Sequence, residues 1–315
     1  MTLAIGVDVG GTKVAAGVVD PAGQVLADLQ HPTPSTSPAE TAEVIGALVA
    51  TLRRSYDVRA VGIGAAGFVD EFRSVVRFAP NLAWREEPLR AEVGDLVGLP
   101  VVVENDANAM VWAEARFGAG RGEDHLVGVT VGTGIGGGMV LCGELYRGRY
   151  GIGAEFGHVR VVPDGLRCGC GNLGCWEQYA SGRALVREAQ ELATAAPVMA
   201  ARLLELGGGE VDGITGPAVT AAALEGDAAA IECFTTVGRW LGQGLADLAA
   251  VLDPGVFVVG GGVSAAGDLL LGPARTAYAA ALTGRGHRPA AGIRRAELGP
   301  RAGLVGAADL ARRSS

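Results

Sequence analysis

Asp8-Val9-Gly10-Gly11-Thr12-Lys13 joins two strand-like runs, Ala4 to Val9 and Val14 to Val19, and its reading decides the fold. Glycine has no Cβ, so a Gly-Gly turn lets backbone N–H groups close on a phosphate. The same pair also suits a plain hairpin, and alone the turn does not separate the two uses. It is not a Walker A loop, because that motif carries Gly-Lys-Ser/Thr into a helix and Lys13 leads into a strand. A third run, Gln24 to Gln30, follows Pro21-Ala22-Gly23, which predicts three consecutive antiparallel strands.

Outward from that meander, an amphipathic run from Ala39 to Tyr56, with Ser37 as N-cap, predicts a helix crossing the sheet. Apolar runs at Ala60 to Gly64 and Val101 to Glu104 predict further strands, with helices over Pro88 to Leu96 and Asp106 to Phe117. The second half then begins as the first does: a strand Leu126 to Val131, a Gly132-Thr133-Gly134 turn, and a strand Gly136 to Leu141. A helical half from Ser181 to Leu252, a strand Val256 to Val259, a helix Asp268 to Leu282, a strand Ile293 to Leu298 and a helix Ala302 to Arg313 follow. At 315 residues, two domains sharing a cleft are expected, with a boundary at the glycine-rich Gly118 to Gly122. Residues 1–117 with 301–315 are assigned to a small α/β domain and 118–300 to a large one.

The apolar fraction of 49% against 19% charged residues excludes a disordered chain. A net charge of −8 without basic clusters argues against nucleic acid or an anionic membrane as partner. No charged segment followed by an apolar one opens the chain, and the apolar stretch Gly244 to Gly262 is interrupted by Asp247, Asp253 and Pro254. A cytoplasmic protein is expected. Lys13 is the only lysine. Three of five cysteines fall within eight residues, which favours a metal over disulfides, while Cys142 and Cys233 read as small core residues.

Two further glycine clusters give the first one company. Val131-Gly132-Thr133-Gly134-Ile135-Gly136-Gly137-Gly138 lies at the matching place in the second half, and Gly260-Gly261-Gly262-Val263-Ser264 follows a strand and precedes a helix. In a chain of 51 glycines one such cluster follows from composition; three at strand ends suit two phosphate grips and an adenosine loop. Glu104-Asn105-Asp106-Ala107-Asn108 puts a carboxylate where a strand becomes a helix. There Asp106 either caps the helix or accepts the proton of an attacking hydroxyl, with Asn105 orienting the same substrate. Gly153 to His158 followed by Cys168-Gly169-Cys170-Gly171-Asn172-Leu173-Gly174-Cys175-Trp176-Glu177 supplies three thiolates and one imidazole. His158, Cys168, Cys170 and Cys175 form a closed tetrahedral zinc set, hence a structural ion, and Glu155, His158 and Glu177 are then presented to a polyol.

These residues together resemble the ROK family, named for repressors, open reading frames and kinases, and most closely its bacterial glucokinases; the likeness spans essentially the whole chain. It implies an actin-like ATPase (ribonuclease H-like) fold of two α/β domains around a cleft, with ATP, Mg²⁺ and structural Zn²⁺. Asp8, Gly10, Gly11, Thr12 and Lys13 match the family's first phosphate loop, Thr133 and Gly134 its second, and Gly260, Gly261, Gly262 and Ser264 its adenosine loop. Sugar contacts are implied for Gly67, Asn81, Asn105, Asp106, Glu155, His158 and Glu177, with Asp106 as general base toward the glucose 6-hydroxyl and Mg²⁺ near Asp8. Family repressors carry a helix-turn-helix ahead of the first strand; here a strand begins at Leu3, so no DNA binding is expected. Kinases for fructose, mannose or N-acetylmannosamine, polyphosphate as donor, and a non-catalytic sugar sensor are the rival readings. Homo-oligomerisation to a dimer or tetramer is implied by the resemblance alone.

Overall fold

The computed structural model describes residues 2–314, so the outermost residue of each end of the expected small domain lies outside the described residues. Contacts group the chain into two compact units. One runs to Val127 and adds Gly138–Ala154 and the chain from Ala296; the other holds Gly128–Gly137 and Glu155–Arg295.

In the first unit β1 (Leu3–Val9), β2 (Lys13–Val19) and β3 (Val25–Pro32) form the expected antiparallel meander. α1 (Pro38–Arg53) follows, and Ser37 accepts the Glu40 N–H at its start as the sequence predicts. β4 (Val58–Ala65) then pairs parallel with β1. Three very short strands, β5 (Phe68–Val69), β6 (Val76–Phe78) and β7 (Arg85–Glu87), make an antiparallel sheet of their own. Nothing in the sequence announces them, because two or three residues cannot display an alternation. α2 (Leu89–Val97), β8 (Val101–Asn105) and α3 (Asp106–Phe117) complete this stretch.

The resulting sheet has the order β3-β2-β1-β4-β8, with β1, β4 and β8 parallel. Register sets Asp8 level with Gly64 and Gly64 level with Glu104, so the three carboxyl ends stop on one line. That edge of an open α/β sheet is where ligands bind. Ile5, Val7, Ile63 and Val103 of the central strands are fully buried with Trp84, and each such side chain contributes about 1.5–3 kcal/mol to folding.

β9 (Leu126–Val131), β10 (Ile135–Leu141) and β11 (Glu144–Tyr146) open the second sheet, and a long excursion leads to α4 (Glu177–Ala180). The expected helical half is four helices, α5 (Gly182–Ala195), α6 (Ala201–Leu206), α7 (Gly216–Leu224) and α8 (Ala228–Leu252). Gly208, Gly209 and Gly226 break it, each with a positive φ. β12 (Val256–Gly260), α9 (Asp268–Ala281), β13 (Gly292–Arg295) and α10 (Ala302–Ser314) end the chain. The order β11-β10-β9-β12-β13 repeats the plan of the first sheet, which is the internal repeat announced by the turns at Gly10 and Gly132.

Two details correct the sequence reading. β13 stops at Arg295, short of the expected Leu298, because the N–H groups of Glu297 and Leu298 donate to the buried Glu114 carboxylate and not to a neighbouring strand. Cys233 is buried as expected, but Cys142 is exposed at the β10–β11 turn, where its φ is 53°. α10 packs on the first sheet, where Gly6 and Gly62 leave no room for a Cβ before the carbonyls of Leu304 and Ala307.

Candidate active site

In the first unit the turn after β1 is closed by the Gly10 N–H donating to the Lys13 carbonyl at 3.0 Å. The Thr33 hydroxyl donates to the Gly10 carbonyl at 2.8 Å, and the Thr33 N–H to the Thr12 carbonyl at 3.1 Å, which ties the turn to the end of β3. Thr12 and Lys13 are exposed, so their polar groups face solvent or a ligand. A Cβ on Gly11 would lie 3.3 Å from the Asn81 Cβ; the expected sugar residue Asn81 therefore sits against the phosphate turn. Asp8 precedes the turn, and burial raises its carboxyl to about 6 against the opposing pull of Lys13.

One strand over from β4, Asn105 and Asp106 stand where β8 becomes α3. Asn105 caps the helix, its side-chain oxygen accepting the Asn108 N–H at 3.0 Å. Its amide donates to the Gly67 carbonyl and to the Asp106 carboxylate, both at 3.1 Å. Asp106 also accepts its own helix's Ala107 N–H at 2.9 Å. Capping is thus done by Asn105, and Gly67, Asn105 and Asp106 are brought together as expected. The carboxylate of Asp106 lies at a helix N-terminus, where the dipole favours an anion.

In the second unit the ligating atoms of His158, Cys168, Cys170 and Cys175 all fall within 4.8 Å of one another. Nδ1 of His158 is 3.6 Å from the Cys168 Sγ, and the Cys170 and Cys175 sulfurs are 3.6 Å apart. Tetrahedral zinc with bonds of about 2.3 Å sets its ligands about 3.7 Å apart, so the donor set and its spacing fit the ion. Gly171 and Gly174 have φ of 96° and 74°, and a Cβ on Gly174 would strike the Val162 carbonyl; the wrap around the metal site requires glycine there. Nδ1 is the ring nitrogen of His158 that is turned to the Cys168 sulfur.

Glu177 links this knuckle to a glycine loop. Its Oε1 receives the Cys168 thiol at 3.0 Å and the Gln178 amide at 3.3 Å, while a Cβ on Gly134 would overlap its Oε2. Burial raises the Glu155 carboxyl, His158 opposes that shift and Glu177 adds to it. The N–H of Gly182, at the start of α5, donates to the Gly132 carbonyl at 2.8 Å. Gly261, at φ 86°, lies against the Val131 backbone, and Ser264 donates its hydroxyl to the Gly261 carbonyl at 2.7 Å. The second and third glycine loops are therefore in contact, as a shared nucleotide site requires.

The sequence reading missed Thr33 and two arginines, Arg73 and Arg147, which hold the Glu104 carboxylate. The available signal was a carboxylate ending the apolar run Val101-Val102-Val103, since a buried charge needs a partner.

Two sheets of one plan, each turning through glycines at the end of its first strand, define the actin-like ATPase class. The chain belongs to the ROK family, whose profile matches residues 4–314. It is 54% identical over 312 residues to the glucokinase of Streptomyces coelicolor, covering 99% of this chain and 98% of that one. The glucokinase of Thermotoga maritima is 39% identical over 275 residues, 86% of this chain and 85% of that protein. Among solved structures, a ROK family glucokinase from Streptomyces griseus in complex with glucose and AMPPNP superposes with a TM-score of 0.90 at 56% identity, covering 99% of both chains.

Proposed function

We propose that the protein is an ATP-dependent glucokinase, producing glucose 6-phosphate and ADP. The observation that carries this is the junction of β8 and α3, where Asp106 is held by Asn105 on the same sheet edge as the Asp8–Lys13 turn. It is supported by the full-length likeness to glucokinases. Asp106 takes the 6-hydroxyl proton as that oxygen bonds to the γ-phosphorus and the bond to the bridging β,γ-oxygen breaks. Gly10, Gly11, Thr12 and Lys13 hold phosphate oxygens, as do Thr133 and Gly134; Gly260, Gly261, Gly262 and Ser264 bound the adenosine. Asp8 is the residue suited to hold Mg²⁺, which when bound neutralises charge on the phosphates. Gly67, Asn81, Asn105, Glu155, His158 and Glu177 bind sugar hydroxyls.

The zinc assigned to His158, Cys168, Cys170 and Cys175 has four protein ligands and no open position, so its role is to fix the loop carrying His158 and Glu177. Among the described residues no helix is long and apolar enough to cross a membrane. A cytoplasmic homo-oligomer without nucleic-acid partners, with 1–117 plus 301–315 and 118–300 as its domains, completes the proposal. ADP release measured over a panel of hexoses, with ATP and polyphosphate compared, tests it. Glucose with ATP should be the preferred pair. Preference for fructose, mannose or N-acetylmannosamine would reassign the substrate, and no ADP with any sugar would make the protein a sensor.

A further inference from the structure

The Glu104 carboxylate is 1% exposed and is gripped from four sides. Arg73 donates Nε to its Oε2 at 2.9 Å, and Arg147 donates Nε to Oε1 at 3.0 Å, with that nitrogen 2.8 Å from Oε2 in the ion pair. Oε1 also receives the backbone N–H of Asn105 at 3.0 Å and the Asn108 amide at 3.2 Å. Two guanidiniums thus converge on one carboxylate whose remaining partners are the very residues that flank Asp106.

The arginines come from segments distant in sequence. Arg73 lies between β5 and β6 in a left-handed conformation, φ 55°, and its carbonyl accepts the Val103 N–H of β8 at 3.1 Å. Arg147 follows β11 and spends its other nitrogens on the carbonyls of Glu71, at 3.2 Å, and Asp70, at 2.8 Å. Gly151, at φ 83°, packs its backbone on Val69 and Asp70. Eight residues after Arg147 the chain reaches Glu155. The carboxylate therefore joins three stretches: the β8–α3 junction, the β5–β6 turn, and the segment leading to Glu155.

Burying one carboxylate with two guanidiniums is a poor way to gain stability, since desolvation offsets the Coulomb attraction and apolar side chains would pack as well. What such a buried hydrogen-bonded network does supply is position. We propose that Glu104, clamped by Arg73 and Arg147, is a positioning residue for the phosphoryl transfer: it fixes the Asn105 N–H and the Asn108 amide, and through them the angle at which Asp106 meets the substrate hydroxyl. This rests on the kinase reading above. A fork-shaped guanidinium is required at Arg147, because a lysine cannot reach the carboxylate and two carbonyls at once.

The test compares Glu104→Gln with Asp309→Asn in the full-length enzyme. Asp309 is a second buried carboxylate of the same unit, 3% exposed and held by Trp112, Arg116 and Arg312, but touching neither Asn105 nor Asn108. Both variants should lower Tm. Glu104→Gln should lower kcat about tenfold or more with the KM for glucose within about threefold of wild type, as misplacement of a reacting group does, while Asp309→Asn keeps its kcat. If Glu104→Gln lost only Tm, as Asp309→Asn does, the proposal would fall. Should Glu104→Gln not fold, Arg147→Lys serves: reduced kcat at unchanged KM supports the clamp, and wild-type kcat, or failure of both to fold, refutes it. Absence of ADP release by the wild type would refute the kinase reading instead, so the two failures are distinct.

Discussion

The Asn105 side chain donates to the Asp106 carboxylate at 3.1 Å while its own oxygen receives the Asn108 N–H at 3.0 Å. The helix is thus capped by the neighbour of the acid, and Oδ1 of Asp106 receives both the Asn105 amide and the Ala107 N–H. A residue that caps a helix accepts the N–H two or three residues on, and here it is the Asn105 oxygen that receives the N–H of Asn108.

Asp106→Ala is therefore expected to lower kcat by about 10²–10⁴, the usual worth of a positioned acid or base, with the dissociation constant for glucose changed by less than about fivefold. Steady-state kinetics and tryptophan fluorescence titration check the two halves. A variant with near wild-type kcat would remove Asp106 from the role of base.

Asp8 makes stability depend on pH in the direction opposite to an ordinary salt-bridged carboxylate. Its carboxyl is raised from 3.8 to about 6 in the fold, so the folded protein binds the proton more tightly than the unfolded chain. The contribution is present below pH 3.8 and is lost as pH rises through 6. Above that, the buried anion costs the fold about 3 kcal/mol or less. Asp8→Asn should consequently lie close to wild type in Tm at pH 4 and exceed it at pH 8, while losing activity. Mg²⁺ with nucleotide should narrow the gap at pH 8 by stabilising the wild type. Thermal melts at the two pH values decide it.

Much of the fold and of the site is legible in the sequence, and the part that is not has a common cause. The meander, the second glycine turn and the zinc knuckle are written in neighbouring residues: Gly10 needs only Lys13 to close its turn, and Cys168, Cys170 and Cys175 lie in one loop. Glu104 and its arginines are separated by 31 and 43 positions, and only the docking of β5–β6 and the post-β11 segment brings them together. Likewise β13 looked longer than it is, because the competitor for its N–H groups, Glu114, sits on α3 far upstream.

Removing the metal from the knuckle should cost stability and sugar affinity together. Without a cation, burial pushes the Cys168 thiol up to about 12 and leaves it donating to Glu177. Chelator treatment, or Cys170→Ser, is expected to lower Tm by about 5 °C or more and to weaken glucose binding, read by calorimetry beside metal content by mass spectrometry. Unchanged Tm and affinity with a slower chemical step would reverse the division between architecture and chemistry.

Gly134 and Gly261 should separate function from folding within one unit. A methyl on Gly134 meets only the tip of Glu177, a side chain able to swing away, so Gly134→Ala should cost under about 1 kcal/mol of stability. The displaced carboxylate is a sugar ligand in the proposed function, so the KM for glucose should rise about tenfold. Gly261 differs in both respects: its φ is 86°, and a Cβ there meets the Val131 backbone, which cannot yield. Gly261→Ala should therefore lose about 1–3 kcal/mol or more and register first in chemical denaturation. Equal effects of the two substitutions on KM and on stability would show that Gly134 shapes the loop and not the position of Glu177.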